Sequence, residues 1–243
     1  MPGTLYIVPT PVGNLADMTP RAIEVLKNVS LVLAEDTRTS AVLMRAFDIT
    51  TPLSPHHMHN EGASAPGVIA LLEQGQDVAL VSDAGTPGIS DPGFVLSRQC
   101  RLASIPVVTL PGATAFVPAL VSSGLPCERF TFQGFLPPKK GRATRLAEIA
   151  ASPVTSVVYE SPMRLARTLG ELAAACGSDR PASVSREISK VHEQTLRDTL
   201  GALAAHYAAN PARGECVIII APLPDAPRTP HRNKYKDTGD TTD

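Results

Sequence analysis

Five things are missing from this sequence, and each absence narrows what the chain can be. No apolar run approaches the roughly 20 residues needed to span a bilayer. Met1-Pro2-Gly3-Thr4 leads directly into an apolar strand without a basic, apolar leader, so the chain reads as a soluble, cytoplasmic protein with no membrane partner. No C-x-x-C pair occurs: Cys100, Cys127, Cys176 and Cys216 are widely spaced, which points to reduced thiols rather than disulfides or a zinc site. Net charge is nearly absent, at −1 over 243 residues, so only a local basic patch can argue for a nucleic-acid partner. Three glycines are also wanting where a dinucleotide fingerprint would need them. The first strand, residues 4–8, runs into Pro9-Thr10-Pro11-Val12-Gly13-Asn14, a turn with one glycine, which counts against a nicotinamide-binding Rossmann domain.

What is present is a core-forming composition, 43% hydrophobic, and one stretch around which the chain is organised. Val78–Val81 is four apolar residues, a strand buried on both faces, followed by a loop carrying Gly85, Pro87 and Gly88 before Asp91-Pro92. Asp91 reads as a helix N-cap and Pro92 as the first helical residue. A loop of about eight residues exceeds the usual 2–6 for such a connection, which marks it as a binding device. Gly85 and Gly88 let backbone N–H groups approach a ligand closely, and Asp83 can accept from a hydroxyl or an ammonium.

The rest of the chain repeats strand, turn, helix. Thr19-Pro20 opens a helix to about Asn28, residues 31–34 form a strand, and Glu35-Asp36-Thr37-Arg38 follows at its end. Ligands of open α/β sheets bind beyond the carboxyl ends of strands, so this cluster projects toward the Asp83 loop. In an extended segment His57, His59 and Glu61 would share one face. No fourth ligand is apparent, so no metal is assigned and hydrogen bonding to a polar substrate suits them equally. A helix over about 64–74 precedes the central strand, and another over 93–103 follows its loop. Residues 106–110 are a fifth strand, and Pro111-Gly112-Ala113 is a glycine-bearing turn.

Residues 122–126 are a breaker cluster that divides the chain into an N-terminal, mostly parallel α/β domain (1–121) and a C-terminal α/β domain (122–221), with a disordered tail over 222–243. Beyond it come a strand at 129–135 and a segment with Lys139, Lys140, Arg142 and Arg145 and no acid before Glu148, a reasonable phosphate contact. Residues 154–159 form a strand ending at Glu160, where Ser161 caps and Pro162 begins a helix to Cys176. Residues 182–186 form a strand leading to Glu187, Lys190 and Glu193, and Thr199 caps a further helix. Residues 216–221 close the sheet.

Taken together, the blocks at 5–14, 35–39, 57–61, 80–93, 134–141, 159–164, 186–193 and 214–217 resemble the small-subunit rRNA (cytidine-2′-O)-methyltransferase family, a branch of the tetrapyrrole methylase fold. The resemblance implies two α/β domains with a cofactor cleft between them, S-adenosylmethionine (SAM) as cofactor, a homodimer, and methylation of a ribose 2′-hydroxyl in the decoding region of 16S rRNA within the 30S subunit. By matching blocks, cofactor contacts fall on Pro11, Asp83, Gly85, Thr86, Gly88, Pro111, Gly112 and Ala113, with Tyr159 closing the pocket from the second domain. RNA contacts fall on Lys139, Lys140, Arg142 and Arg145. A ribose hydroxyl is a weak nucleophile, so a base or a cation steadying the developing alkoxide is expected among Glu35, Asp36, Arg38, His59, Glu61, Glu160, Arg186 and Glu187. Two departures stand out. Met58 occupies a position where the family motif carries an acid, and Pro222–Asp243 does not resemble the family's C-terminal helical extension.

Overall fold

A computed structural model describes residues 1–58 and 60–224; His59 and residues 225–243, most of the tail expected to be disordered, lie outside the described residues. The first half is one five-stranded sheet. β1 (Leu5–Ile7), β2 (Leu31–Ala34), β3 (Leu53–Pro55), β4 (Val78–Val81) and β5 (Val107–Thr109) lie in the order β3-β2-β4-β1-β5. Every pairing in it is parallel, as strand-helix alternation predicts. All four residues of β4 are buried, because helices cover both faces. One face carries α1 (Pro20–Asn28) and α2 (Thr37–Ala46), through Ala22, Leu26 and Met44. The other carries α3 (Glu61–Glu73) and α4 (Phe94–Leu102), through Ala65, Val68, Leu72, Leu96 and Cys100. The adjacent strands β1 and β4 thus send their following helices to opposite faces. Their loops part at the carboxyl edge and leave a crevice there.

The second half is a mixed sheet. β6 (Phe130–Phe135), β7 (Thr155–Glu160), β8 (Pro181–Arg186), β9 (Gln194–Thr199) and β10 (Cys216–Ile220) lie in the order β6-β7-β10-β8-β9. β6 and β7 are parallel, whereas β10 runs antiparallel to both β7 and β8, with Cys216 opposite Glu160 on one side and Arg186 on the other. This register brings the start of β10 to the edge where β7 and β8 end. α5 (Phe116–Ser123) covers one face through Ala119 and Leu120 against Val157, Val217 and Ile219. α6 (Arg142–Ala150), α7 (Leu165–Cys176) and α8 (Leu200–Ala209) cover the other. α5 begins before the breaker cluster, ends within it at Ser123, and packs on the second sheet.

Three local expectations are corrected. α4 begins at Phe94 with Gly93 at its N-cap, so neither Asp91 nor Pro92 opens it. α7 begins at Leu165, and Ser161-Pro162 belongs to a preceding turn. β9, Gln-Thr-Leu-Arg-Asp-Thr, has no equivalent in the sequence pattern, because as an edge strand with no buried residue it lacks an apolar run.

Candidate functional site

The crevice at the carboxyl edge of the first sheet and the facing edge of the second enclose a cavity of about 230 Å³. From the first half it is lined by Val12, Glu35, residues 83–86 and 89–91, Thr114 and Ala115, and from the second by Phe135, Tyr159, Glu187, Ile188, Lys190 and residues 215–217. Its floor is tied to the turn after β1: Thr10 and Gly85 exchange backbone hydrogen bonds, N–H to O at 2.8 and 2.9 Å. Gly85 has φ +82°, a conformation side chains seldom adopt, so glycine lets the loop pass close under the cavity. The Thr86 hydroxyl donates to the Ala113 carbonyl at 3.0 Å and holds the two loops together.

The cavity is acidic. Burial, with the Asp83 carboxylate beside it, raises Glu35 above the ordinary carboxylate range. Burial raises Asp83 as well, although the Asp36 backbone N–H donates to its Oδ1 at 3.2 Å and opposes the rise. Asp91 goes furthest: burial, then the Glu35 carboxylate, push it up to about 7 against the Ser82 hydroxyl, with Glu215 and Asp83 adding to the rise. Burial also pushes the Tyr159 phenol up to about 12, so it stays protonated. Among the lining residues the cation is Lys190, whose Nζ lies 2.9 Å from Glu187 Oε1. Negative charge therefore exceeds positive charge in the cavity, an arrangement that favours a cationic ligand with hydroxyl groups.

Of the residues expected in the site, Glu35, Asp83, Gly85, Thr86, Tyr159 and Glu187 line one cavity. Ala113 adjoins it through Thr86, while Pro11, Gly88, Pro111 and Gly112 stand outside the lining, with Gly112 packed against the Pro9 ring. Asp36 caps α2, and Arg38 chelates it with Nε–Oδ1 at 3.0 Å and Nη2–Oδ2 at 2.6 Å. The hydrogen bonds from Arg38 hold Asp36 down at about 2. The Arg38 side chain itself is 90% exposed at the rim.

Several assignments change. Glu61 is buried in α3, where its Oε1 accepts the N–H groups of Gly93, Val95 and Leu96 at 2.9, 3.1 and 3.4 Å, so it anchors the start of α4. Glu160 is buried too and accepts from Thr168 Oγ1 at 2.7 Å and from Arg164 Nη2 at 2.7 Å. Arg186 donates to Gln194 Oε1 at 2.8 Å and lies outside the lining. Arg142 is no phosphate contact: it is buried, with Nε 2.5 Å from Glu171 Oε2 and Nη2 2.7 Å from Thr168 Oγ1. Lys139, Lys140 and Arg145 are exposed, the last paired with Glu148 at 2.6 Å. His59 lies outside the described residues, and Glu61, within a helix, cannot share an extended face with His57. Among the described residues no group of three or more His, Cys, Asp or Glu could hold a metal ion. No helix among them is long and apolar enough to cross a membrane.

The sequence pattern did not single out Asp91, Lys190 or Glu215 for the site. For Glu215 a signal existed, since an acid just before an apolar strand reaches a cleft when that strand runs antiparallel to its neighbours.

Comparison with known proteins bears on this geometry. A family model described as Tetrapyrrole (Corrin/Porphyrin) Methylases matches residues 4–204. The Ribosomal RNA small subunit methyltransferase I of Synechocystis sp. is 48% identical over 220 residues, 90% of this chain and 79% of that protein. The protein of the same name from Escherichia coli O157:H7 is 48% identical over 221 residues, 90% of this chain and 77% of that one. Among solved structures, uroporphyrin-III C-methyltransferase from Thermus thermophilus, complexed with S-adenosyl homocysteine, superposes with TM-score 0.64 at 20% identity, over 90% of this chain and 97% of that one. Cobalt precorrin-4 methyltransferase does so with TM-score 0.66 at 16% identity, over 90% and 94%. The structural likenesses establish a shared fold.

Proposed function

We propose that this chain, which belongs to the tetrapyrrole (corrin/porphyrin) methylase family and within it to the ribosomal RNA small subunit methyltransferase I proteins, is a SAM-dependent enzyme that methylates the 2′-hydroxyl of a cytidine in the decoding region of 16S rRNA. The observation that carries the reading is the acid-lined cavity at the junction of the two sheets. SAM bears a sulfonium and an ammonium against one carboxylate, a net positive charge that the excess of Glu35, Asp83, Asp91, Glu187 and Glu215 over Lys190 complements. The residues present therefore fit the cofactor, which supplies an activated methyl group on sulfur.

In this reading Asp83 accepts from cofactor hydroxyl or ammonium groups, while Gly85 and Thr86 bring the backbone close. Tyr159 and Phe135 exclude water from the second-half side, and their rings lie 5.6 Å apart. Holding the ribose oxygen, carbon and sulfur in line is the main task, since orientation alone is worth up to roughly 7–11 kcal/mol. The exposed Lys139 and Lys140 are available to RNA phosphates. Two domains, near residues 1–121 and 122–221, with α5 (Phe116–Ser123) crossing that boundary to pack on the second sheet, a cytoplasmic location and a homodimer complete the proposal.

The test is methyl transfer from labelled SAM to 30S particles and to protein-free 16S rRNA, followed by nuclease digestion and mass spectrometry of nucleosides. The expected product is 2′-O-methylcytidine, formed faster on 30S particles. Methyl on a base carbon or nitrogen, or transfer only to a tetrapyrrole or a protein, overturns the chemical assignment. Binding without turnover overturns the enzyme.

A further inference from the structure

Asp91-Pro92 is a sequence suited to begin a helix, with an acid whose carboxylate can cap the first N–H groups. In the structure that task belongs to Glu61, a carboxylate from α3 some thirty positions earlier in the chain. Its Oε1 gathers three N–H groups at the start of α4 and complements the helix dipole there. Asp91 is thereby released from capping, and the backbone turns it elsewhere. Ser90 adopts φ +68° without being glycine, Gly93 adopts φ +139°, and the Gly88 N–H donates to the Pro92 carbonyl at 3.1 Å, closing the loop on itself. Left-handed backbone is uncommon at a serine, and here it shapes the loop in which Asp91 lines the cavity.

The result is a carboxylate in the cavity wall where the two halves meet. Glu35 and Asp83 face Asp91 from the ends of β2 and β4, while Glu215 and Tyr159 face it from the second sheet. Glu187 and Lys190 line the same cavity from the loop after β8. Glu35 differs in this respect: the charges that bear on it, Asp83, His57, Asp36 and Asp91 itself, belong to the first half. A group that takes a proton from RNA in a cavity shared by both halves should stand at their junction.

We propose that Asp91 is the proton acceptor for the ribose 2′-hydroxyl and that Glu61 is the positioning residue that frees it for that role; both rest on the methyl-transfer reading above. The ribose oxygen forms its bond to the methyl carbon while the carbon–sulfur bond breaks and leaves its electron pair on sulfur. The hydroxyl proton passes to the Asp91 carboxylate and from there to water. An acceptor titrating near the working pH is best matched to such a transfer, and burial among acids brings Asp91 up to about 7.

The experiment is single-turnover methyl transfer to 30S particles at saturating SAM, from pH 5.5 to 9, with the full-length wild type, Asp91→Asn, Asp91→Glu and Glu61→Gln. SAM binding is measured separately by calorimetry. Asp91→Asn should bind SAM more weakly yet, at saturating SAM, still lose roughly 10²–10⁴-fold in rate, together with the wild-type pH inflection. Asp91→Glu should lose less and keep the inflection, and Glu61→Gln should slow transfer and move the inflection. A folded Asp91→Asn that keeps both rate and inflection overturns the assignment. If that variant does not fold, an Asp91→Glu enzyme without an inflection overturns it equally. Wild type that transfers no methyl to any small-subunit RNA substrate overturns the underlying reading, and this proposal with it.

Discussion

Two acid-rich regions of this molecule treat negative charge in opposite ways. Around α6, α7 and the end of β7 the buried Glu160 and the half-buried Glu171 each have a guanidinium. Glu171 pairs with Arg142 at 2.5 Å and with Arg167 at 2.8 Å, and Glu160 pairs with Arg164 at 2.7 Å. Burial alone would raise Glu171, but the two arginines hold it below its usual range. In the cavity no arginine lines the wall, and burial leaves Glu35, Asp83 and Asp91 raised. The first region is compensated within the fold, whereas the second is left for a charge that arrives from outside. Burial of an acid is therefore not itself a sign of function; the missing counter-charge is.

Removing a counter-ion from the compensated region should do the most damage. Arg142→Ala leaves Glu171 with Arg167 alone and takes a donor from the Thr168 hydroxyl and the Pro137 carbonyl, all partners of one side chain that is 8% exposed. Breaking a buried pair costs about 3–5 kcal/mol, and the partial exposure of Glu171 puts the expected loss near the lower end. Thermal unfolding should show a fall of roughly 6–12 °C at about 2–4 °C per kcal/mol. Adding Glu171→Gln should recover part of it. A midpoint unmoved by Arg142→Ala would erase the contrast between the regions.

Removing a charge from the uncompensated region should act on the ligand instead. Glu35→Gln deletes one carboxylate beside Asp83 in the cavity. SAM affinity should fall about tenfold, equivalent to about 1.4 kcal/mol, while the unfolding midpoint rises because a repulsion has gone. Calorimetry and a thermal scan read the two arms. Unchanged affinity would mean that the cation is recognised elsewhere.

The difference between the regions explains how much was legible in the sequence. The parallel sheet was, because Val78–Val81 and the apolar strands around it alternate with capped helices such as Thr19-Pro20. That Asp83 and Gly85 line the cavity was legible too, since they follow a strand, whereas Tyr159 was reached only through the family resemblance. Arg142 was misread because Glu171 lies 29 residues further on, and a basic run without nearby acids looks solvated or RNA-bound from sequence alone. Asp91 was misread for the same reason: the group that takes over its cap, Glu61, reaches the Gly93 N–H from 32 residues away. The mixed order of the second sheet, with β10 between β7 and β8, depends on pairings of still longer range. Local chemistry was readable, and long-range competition for a donor or a charge was not.

The smallest effect tests the sign of the contrast. Asp91 is raised from its ordinary 3.8 to about 7, so the folded state holds its proton more tightly than the unfolded state. Its contribution to stability is complete below 3.8 and is lost as pH rises through about 7. Glu171 runs the other way: lowered from 4.5, it contributes above that value and loses its contribution as pH falls. Asp91→Asn carries no titrating proton at this position, so its unfolding midpoint should gain on the wild type from pH 4 to 7 and hold a constant lead above that. The lead should be a few degrees, at roughly 2–4 °C per kcal/mol, because the carboxylate is partly solvated. Saturating SAM should shrink the lead, since a bound cation offsets the charge that the wild type is forced to carry. A lead that is flat with pH, or one that grows as pH falls, would place Asp91 among the compensated acids and remove it from the cavity's chemistry.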